Sequence, residues 1–267
     1  MTTFNDEVNV RVLANPHDEV LADSARSFME ASIRSMYSYN FSMLSRPIIQ
    51  YPQDVMALQE LIWQIKPDLV IEAGIAHGGS LILSASMLAL IDYCDAVEAG
   101  RVLDPKATRR RVLGIDIDIR PNNRTSIHAH PMAHRIDMIQ GSSIAPEIIA
   151  EVNAVAKDYE KVMVILDSNH THAHVLAELE AYAPLISQGS YCIVFDTVVE
   201  DLPESMFPDR PWGKGDNPKT AVWEYLRRLK QEGRTATDGS RLVFEIDKDI
   251  ESKLLITVAP DGYLKRV

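Results

Sequence analysis

The feature that most constrains the fold of this chain is a series of short apolar runs, rich in Val and Ile, that alternate with longer segments of helical character. Such runs are typical of buried strands, because β-branched side chains pack well on a pleated surface. Seven strands are predicted, at 69–74, 112–117, 135–140, 162–167, 191–196, 242–247 and 254–259. Helices are predicted over 18–36, 53–66, 79–91, 144–158, 171–187 and 218–231.

The first five runs are almost continuously apolar, which is the pattern of parallel strands that are covered on both faces. Each gap between them is long enough for a crossover helix. The last two runs lie close together and are predicted to form an antiparallel hairpin. The sequence therefore predicts an α/β fold, with a doubly wound, mostly parallel seven-stranded sheet and an antiparallel hairpin at one edge.

Two segments lie outside this alternating pattern. Residues 1–52 precede the first helix and strand of the sheet region, and we expect them to form a helical N-terminal cap or oligomerisation segment. The rest, 53–267, is predicted to be one domain. Within it the long stretch 197–217 is rich in Pro and punctuated by Gly, which predicts a lid loop beside a functional site.

Composition limits the class of protein. The chain has 267 residues with 46% hydrophobic and 24% charged, and its net charge of −11 opposes attraction to nucleic acid or to anionic membranes. Only two cysteines are present, so a disulfide framework is not expected. No basic, apolar leader and no run of about 18 uninterrupted apolar residues is visible. We therefore expect a cytoplasmic protein with neither a nucleic-acid nor a membrane partner.

The first predicted site is a glycine-rich loop after the first strand, where close backbone approach of a ligand explains the glycines. Its candidate cofactor-binding residues are Glu72, Gly74, His77, Gly78, Gly79 and Ser80. The spacing differs from the dinucleotide pattern G-x-G-x-x-G, which disfavours a nicotinamide cofactor. The order E-x-G-x-x-x-G resembles the first motif of class I S-adenosylmethionine-dependent methyltransferases, and this resemblance implies that an acid after the second strand holds the ribose hydroxyls. Asp116 lies at that place, with Asp118 as a second candidate, and Ser142 after the third strand completes the set. The alternative is a tight turn that packs a helix on a strand.

The second predicted site follows the fourth and fifth strands. Asp167 and Asp196 each end an apolar run, and carboxylates on neighbouring strand ends can bind a hard cation such as Mg²⁺. His170 lies about one helical turn after Asp167, where an imidazole can accept a proton from an acidified hydroxyl. Two structural alternatives stay open. Asp167 can be the N-cap of the following helix, and His172 can be a solvent-facing residue. For His174, support of the base and simple packing both stay open.

The same histidines permit a second function. His170, His172 and His174 form a His-x-His-x-His run, and imidazoles are good zinc ligands, so a zinc-dependent hydrolase is an alternative. A zinc-hydrolase function does not explain the glycine-rich loop at 74–79. A non-catalytic, cofactor-binding assembly protein is a further alternative, which would bind a nucleoside but would not depend on Asp167.

Several segments together resemble the cephalosporin-hydroxylase-like family, which includes rhamnosyl and macrolide-sugar O-methyltransferases. The resemblance is carried by KPDLVIEAGIAHGGS (66–80), VLGIDIDIRP (112–121), ILDSNHTHAHV (165–175), VFDTVVEDLP (194–203) and RPWGKGDNPKTAV (210–222), and by the segments 39–54 and 258–266. It implies a class I methyltransferase fold that uses S-adenosylmethionine and Mg²⁺ to methylate a sugar hydroxyl of a small molecule. It also implies homo-oligomers built partly through the N-terminal segment.

The resemblance assigns roles to the second site. An Asp-x-x-His element makes Asp167 a metal ligand and His170 the general base, and Asp196 becomes a second ligand. Some relatives have two adjacent acids at the end of the fifth strand, whereas here Phe195 precedes Asp196. Glu200 and Asp201 are then the nearest candidates for a third ligand.

The lid motif has two interpretations. Arg210, Trp212 and Lys214 precede a helix start at Pro218 and form a turn sequence in which Trp212 packs on the body of the protein. Alternatively, Trp212 stacks on a sugar or covers the cofactor, and the two cations hold a diphosphate.

Overall fold

The computed structural model describes residues 3–267, with nine α-helices, nine strands and six short 3₁₀ helices. The helices are α1 Phe4–Ala14, α2 Glu19–Arg34, α3 Pro52–Ile65, α4 Gly79–Glu98, α5 Pro121–His128, α6 Pro146–Ala156, α7 His172–Tyr182, α8 Pro218–Glu232 and α9 Lys248–Leu254. The strands are β1 Phe41–Met43, β2 Arg46–Ile48, β3 Leu69–Ala73, β4 Arg111–Asp116, β5 Ile136–Gln140, β6 Val162–Leu166, β7 Tyr191–Val194, β8 Phe244–Ile246 and β9 Tyr263–Arg266.

Seven strands form one sheet in the order β5-β4-β3-β6-β7-β9-β8. The first five strands in this order are parallel, and Ile71 of β3 lies opposite both Leu113 of β4 and Val164 of β6. β9 is antiparallel to β7 and to β8. The chain thus winds outward from β3 in both directions, so the predicted doubly wound, mostly parallel sheet with an antiparallel edge pair is confirmed.

Each face of the sheet has its own core. Helices α3, α4 and α5 cover one face, where Val70 and Met163 point into a cluster with Leu58, Leu81 and Ile127. Helices α6, α7 and α8 cover the other, where alternate strand residues meet a second apolar cluster. This double cover explains the continuously apolar strands, because side chains on both faces are removed from water.

The N-terminal segment contributes to the first of these cores. α2 buries Met29, and the small β1–β2 hairpin places Ile48 against α4, with Tyr51 also buried. α1 buries none of its residues. The predicted division of the chain at residue 52 stays a prediction.

The predicted strand at 254–259 is wrong. α9 ends at Leu254, and Thr257 and Val258 form hydrogen bonds with the buried carboxylate of Asp54 instead of with a strand. The last strand is Tyr263–Arg266, which lies between β7 and β8. The sequence YLKR (263–266) has a weak apolar signal, because the charged residues Lys265 and Arg266 follow Tyr263 and Leu264, although Arg266 is itself buried.

The helix predictions missed α1, α5 and α9 and misplaced two ends. The helix expected at 79–91 continues to Glu98, because no residue after 91 breaks it. The helix expected at 171–187 ends at Tyr182, where Pro184 gives a short 3₁₀ turn. Within 3–267, α4 is the one helix long and apolar enough to cross a membrane, and 56% of its most apolar window is buried in the protein core.

Asp54 is a fully buried carboxylate that joins α3 to the C-terminal segment. It accepts hydrogen bonds from the Thr257 hydroxyl, from the Val258 N–H at 3.0 Å and from the Tyr263 hydroxyl at 2.8 Å. Burial raises the pKa of Asp54 to about 6, although these hydrogen bonds oppose the rise.

This pKa predicts a pH dependence of stability. Because the pKa of Asp54 is raised above the 3.8 of the unfolded chain, its contribution to folding is fully present below pH 3.8 and is lost as the pH rises through about 6. The change amounts to about 3 kcal/mol. We expect Asp54→Asn to remove this slope, as measured by urea unfolding of both proteins from pH 4 to 7.5. The slope is the readout, because the substitution also changes the hydrogen bonds with Thr257 and Tyr263 and so alters stability at every pH. Parallel slopes would contradict the assignment.

Candidate active site

The loops that follow β3, β4, β5, β6 and β7 all lie at the carboxyl edge of the sheet. In open parallel sheets this edge is where ligands bind, close to the strands at which the winding direction changes. Here that change occurs between β3 and β6, which are neighbours in the sheet. Every residue predicted for either site lies in one of these loops, at a strand end or in the first turn of the helix that follows.

The glycine-rich loop after β3 needs its glycines for close approach. Gly74 has a φ of 100°, and a Cβ there would lie 2.2 Å from the carbonyl oxygen of Asp167. Gly78 has a φ of 84° and caps α4, and a Cβ on Gly79 would lie 2.3 Å from the carbonyl oxygen of Pro47. The loop is therefore tightly packed against both the β6 loop and the N-terminal hairpin.

Glu72 is buried at the end of β3. One carboxylate oxygen accepts a hydrogen bond from the Ser80 hydroxyl, and the other has no hydrogen-bond partner within residues 3–267. Burial raises the pKa of Glu72 to about 7, partly opposed by the Ser80 hydroxyl. An unpaired, buried acceptor beside the loop is suited to a donor on a ligand.

Asp116 ends β4 and turns its carboxylate toward the loop. Oδ2 accepts hydrogen bonds from the N–H groups of Ile75 at 2.8 Å and Ala76 at 3.2 Å, and Oδ1 accepts one from Asp118. Asp116 therefore shapes the loop directly, and the exposed Asp118 lies beside it. Ser142, the third predicted element, follows β5 and is half-buried at the same edge.

Arg46 braces the loop from the N-terminal hairpin. Its guanidinium donates to the His77 carbonyl from Nε at 3.1 Å and from Nη2 at 2.5 Å. Nη2 also approaches Oδ1 of Asn123, whose amide donates to the Ala76 carbonyl at 2.7 Å. His77 thus enters the network through its backbone, and Asn123 has no sequence pattern that marks it.

Asp167, His170 and Asp196 come together in space. One potential ligand atom from each lies within 4.8 Å of those of the other two, which makes them the one group of three or more such side chains that could hold a metal ion in the described part of the chain. Nε2 of His170 is 3.3 Å from Oδ2 of Asp196. All three side chains remain partly accessible.

Asp167 is held from two sides. Its backbone N–H donates to the Ala73 carbonyl at 2.8 Å, and Oδ2 accepts from the Gln50 amide at 3.0 Å. Removal of its carboxylate from water, together with the negative charges of Asp196, Glu72 and Glu178, raises the pKa of Asp167 well above its usual range. Gln50 lies in the segment 39–54, which contributes to the family resemblance, but nothing in the sequence pairs it with Asp167, because the two are 117 residues apart.

Asp196 has an unusual backbone conformation. Its φ of 56° and ψ of 20° are left-handed, which is uncommon for a residue other than Gly. The turn is fixed by the Thr197 hydroxyl, which donates to the Pro260 carbonyl at 2.6 Å, and by the Val198 N–H, which donates to the Val258 carbonyl at 3.2 Å. Strain of this kind persists where surrounding contacts determine the conformation, as at many functional sites.

The histidines of the His-x-His-x-His run have different partners. His172 donates from its backbone to Asp216 at 2.7 Å, and its Nδ1 is 2.8 Å from the Thr220 hydroxyl, so it is not solvent-facing. Nε2 of His174 is 3.0 Å from the Ser143 hydroxyl and 3.4 Å from Oε1 of Glu178. The three imidazoles therefore do not form one metal site, and His174 does not support His170.

Two alternatives that the sequence left open are not found in the structure. Asp167 does not cap α7, since the N-cap residue is Thr171. Glu200 and Asp201 do not join the metal cluster: Glu200 accepts from the Gly215 N–H and the Asn217 amide, and Asp201 pairs with Lys219 at 2.6 Å. Both carboxylates therefore bind groups of the lid or of α8.

The lid, 197–217, is partly ordered by two 3₁₀ turns at Thr197–Asp201 and Glu204–Met206. Trp212 packs on His170 with ring centroids 4.7 Å apart, and the Arg210 guanidinium lies 5.2 Å from the Trp212 ring centre. Lys214 lines a separate cavity of about 920 Å³ between the N-terminal helices and α9. Asp167, His170 and Asp196 do not line that cavity, so it is separate from the candidate metal site.

Comparison with known proteins gives a family. A family model described as rhamnosyl O-methyltransferase/CmcI matches residues 35–267. The rhamnosyl O-methyltransferase of Mycobacterium tuberculosis is 28% identical over 218 residues, which are 80% of this chain and 73% of that protein. The protein of the same name from Mycobacterium leprae is 28% identical over 216 residues, 80% of this chain and 77% of that one.

Solved structures are more distant. CmcI with Mg and SAM is 16% identical with a TM-score of 0.48, covering 86% of this chain and 77% of that one. MycE from the mycinamycin biosynthetic pathway, with Mg, SAH and mycinamycin VI, is 20% identical with a TM-score of 0.47 over 90% of this chain. This chain spans 54% of the MycE chain. Because the family model covers most of the sequence, the chain belongs to the rhamnosyl O-methyltransferase/CmcI family.

Proposed function

We propose that this protein is an S-adenosylmethionine-dependent, Mg²⁺-assisted O-methyltransferase that acts on a sugar hydroxyl of a glycoside, a nucleotide-sugar or a glycosylated natural product. The observation that carries the proposal is the convergence of Asp167, His170 and Asp196 beside the glycine-rich loop, in a member of this family. The sugar specificity is supported by the names of the relatives, which are rhamnosyl O-methyltransferases.

The side chains at the first site suit the cofactor. The buried, unpaired oxygen of Glu72 is an acceptor for a donor group, and the glycines let a ligand approach the backbone. Asp116, Asp118 and Ser142 lie around the adjacent strand ends, where they can meet ribose and adenine groups. We propose Glu72, Gly74, His77, Gly78, Gly79, Ser80, Asp116 and Ser142 as the cofactor-binding set.

The second site suits a hard cation. Two carboxylates and an imidazole within 4.8 Å form a donor set rich in oxygen, and the mutual repulsion of Asp167 and Asp196 is relieved by a positive ion. We propose Asp167 and Asp196 as ligands of Mg²⁺. When bound, the two cofactors supply a methyl group on a sulfonium centre and a positive charge that acidifies the acceptor hydroxyl.

The residues of the chain then have distinct tasks. His170 accepts the proton of the acceptor hydroxyl, and the Asp196 carboxylate, 3.3 Å from Nε2, balances the positive charge that the ring gains. Asp167 and Asp196 orient the acceptor side of the reaction, and the loop at 74–80 orients the donor side. Because a Cβ on Gly74 would overlap the Asp167 carbonyl, the two halves are in direct contact, which favours fixed alignment of the reactants.

The alternatives have less support. A zinc hydrolase using three histidines requires that His170, His172 and His174 converge, and they have separate partners. If the protein were a non-catalytic assembly protein, the convergence of Asp167, His170 and Asp196 would have no function. Assembly into homo-oligomers and a cytoplasmic location stay predictions.

The function is tested by cofactor binding and methyl transfer. We expect calorimetry to detect S-adenosylhomocysteine binding by the wild type, and a panel of glycosides to be methylated when Mg²⁺ is present. Gly78→Val should abolish binding, because the new side chain would overlap Ile127 at a positive φ. Gly215→Val is the matched control, since Gly215 has a φ of 83° and open space around it. No binding by the wild type, or turnover that needs zinc but not S-adenosylmethionine, would refute the proposal.

A further inference from the structure

The ring of Trp212 is the closest aromatic neighbour of His170 in the structure. Their centroids are 4.7 Å apart and the ring planes meet at 79°, an edge-to-face arrangement. The Arg210 guanidinium lies over Trp212 at 5.2 Å, within the range of a cation–π contact. Arg210 thus contacts Trp212, and Trp212 contacts His170, which belongs to the candidate metal site with Asp167 and Asp196.

His170 has few other restraints. Its Nε2 lies 3.3 Å from Oδ2 of Asp196, and the described residues, 3–267, give its side chain no hydrogen bond. By contrast, His172 and His174 are each held by hydroxyl groups at 2.8 and 3.0 Å. The position of the His170 ring therefore depends on packing, and Trp212 supplies that packing.

The backbone that carries Trp212 is anchored. The next residue, Gly213, donates to the Asp216 carbonyl at 2.9 Å, and its own carbonyl accepts from the Asn217 amide at 2.9 Å. Oδ1 of Asp216 accepts from the His172 N–H at 2.7 Å. The lid thus contacts the 170–172 segment at two points, with Asp216 on the backbone of His172 and Trp212 on the ring of His170.

We propose that Trp212 is a positioning residue that holds the imidazole of His170 against Asp196. The proposal rests on the proposed function, in which His170 accepts the proton. A ring confined to one orientation is aligned for proton transfer before the acceptor arrives, whereas a free ring samples other rotamers. Arg210 acts through Trp212 by covering its ring.

The first test measures the contact without using activity. Protein with ¹³C-labelled histidine contains eight imidazoles, and His170→Ala assigns the resonance of interest. At constant pH, Trp212→Leu is expected to shift the His170 ring signals, because the ring current of Trp212 is lost. Trp63→Leu is the control, since Trp63 is 42% exposed on α3 and is in contact with Lys66. Unchanged His170 signals in Trp212→Leu would overturn the proposal.

The second test measures the effect of Trp212 on the rate of methyl transfer. Trp212→Leu is expected to lower kcat about tenfold, which is what the loss of one aromatic contact allows, with the KM for S-adenosylmethionine unchanged. Trp212→Phe keeps a ring, so kcat is expected to recover to within about twofold of the wild type. A normal kcat in Trp212→Leu overturns the proposal, as does failure of Trp212→Phe to restore kcat. An inactive wild type whose His170 signals still respond to Trp212→Leu would instead reject the proposed function.

If Trp212→Leu does not fold, as judged by circular dichroism, Trp212→Phe provides the same test. Its ring current is weaker than that of indole, so the His170 signals are expected to shift in the direction of a lost contact while kcat stays near that of the wild type. Unchanged signals in this folded variant would overturn the proposal.

Discussion

Replacing Asp196 with Ala is expected to lower Mg²⁺-dependent methyl transfer by at least about 100-fold while the affinity for S-adenosylhomocysteine stays close to that of the wild type. Loss of a residue that only orients a ligand already reduces metal affinity or activity by about 10- to 100-fold, and loss of a direct ligand exceeds this. Asp196 follows β7, whereas the proposed cofactor set follows β3, β4 and β5, so the two affinities are separable. Asp167→Ala is expected to behave in the same way.

The measurement combines initial rates over a range of Mg²⁺ concentrations with calorimetric titration of S-adenosylhomocysteine. Glu245→Gln is the control for loss of one negative charge, because Glu245 is exposed on the edge strand β8. If Asp196→Ala keeps the wild-type Mg²⁺ dependence, Asp196 is not a ligand. If cofactor binding is lost with turnover, the two sites are not separate.

His170→Ala separates proton transfer from metal binding. A general base contributes about 10²- to 10⁴-fold to a rate, so we expect a loss of that size with both Mg²⁺ dependence and cofactor affinity retained. Weaker Mg²⁺ dependence in this variant would make His170 the third ligand instead, a role that its distance of 3.3 Å from Asp196 permits.

The position of the site was predictable from the sequence because two features of the chain are local. Apolar runs locate the strands, and polar residues directly after them must lie at the carboxyl edge of a parallel sheet. Asp167 and Asp196 are 29 residues apart, since 196 − 167 = 29, yet adjacent parallel strands bring them together. For the same reason the convergence of the glycine-rich loop with Asp116 follows from strand order alone.

The contacts that complete the site were not predictable, because they come from segments remote in the chain. Gln50 binds Asp167 from the N-terminal hairpin region, and Arg46 braces the glycine-rich loop. Both lie in the segment 39–54, which contributes to the family resemblance, but no spacing rule relates that segment to the strand ends of the main sheet. The error at 254–259 has a similar origin, because Val258 and Ala259 are buried in the core that the N-terminal segment shares, and the Val258 N–H donates to Asp54 rather than to a strand.

Acidic residues near Asp196 illustrate a second limit. Closeness in sequence made Glu200 and Asp201 candidates for a third ligand, but the 3₁₀ turn that starts at Thr197 directs both toward the lid and α8. The composition of this segment does not reveal that turn. The left-handed conformation of Asp196 sets its direction, and a non-glycine residue in that conformation leaves no mark in a single sequence.

Replacing Gly74 with Ala is expected to damage both halves of the site at once. Gly74 has a φ of 100°, and its Cβ would lie 2.2 Å from the carbonyl oxygen and 2.6 Å from the carbonyl carbon of Asp167. These are backbone atoms, so no side-chain rotation relieves the overlap, and the β3 and β6 loops must separate. The hydrogen bond from the Asp167 N–H to the Ala73 carbonyl is adjacent and would be strained with them.

Gly239→Ala isolates the contribution of this overlap. Gly239 also has a positive φ, 82°, but a Cβ there has nothing within 4 Å, so the control carries the conformational strain alone, about 1–2 kcal/mol. For a chain of this size we expect Gly239→Ala to lower Tm by about 2–8 °C with normal affinities. Gly74→Ala should lower Tm further and weaken both Mg²⁺ and S-adenosylhomocysteine binding, whereas Asp196→Ala affects the metal alone and Gly78→Val the cofactor. Thermal unfolding and two calorimetric titrations distinguish these patterns. A Gly74→Ala protein that binds both ligands normally would mean that the close contact of the two loops does not align the reactants.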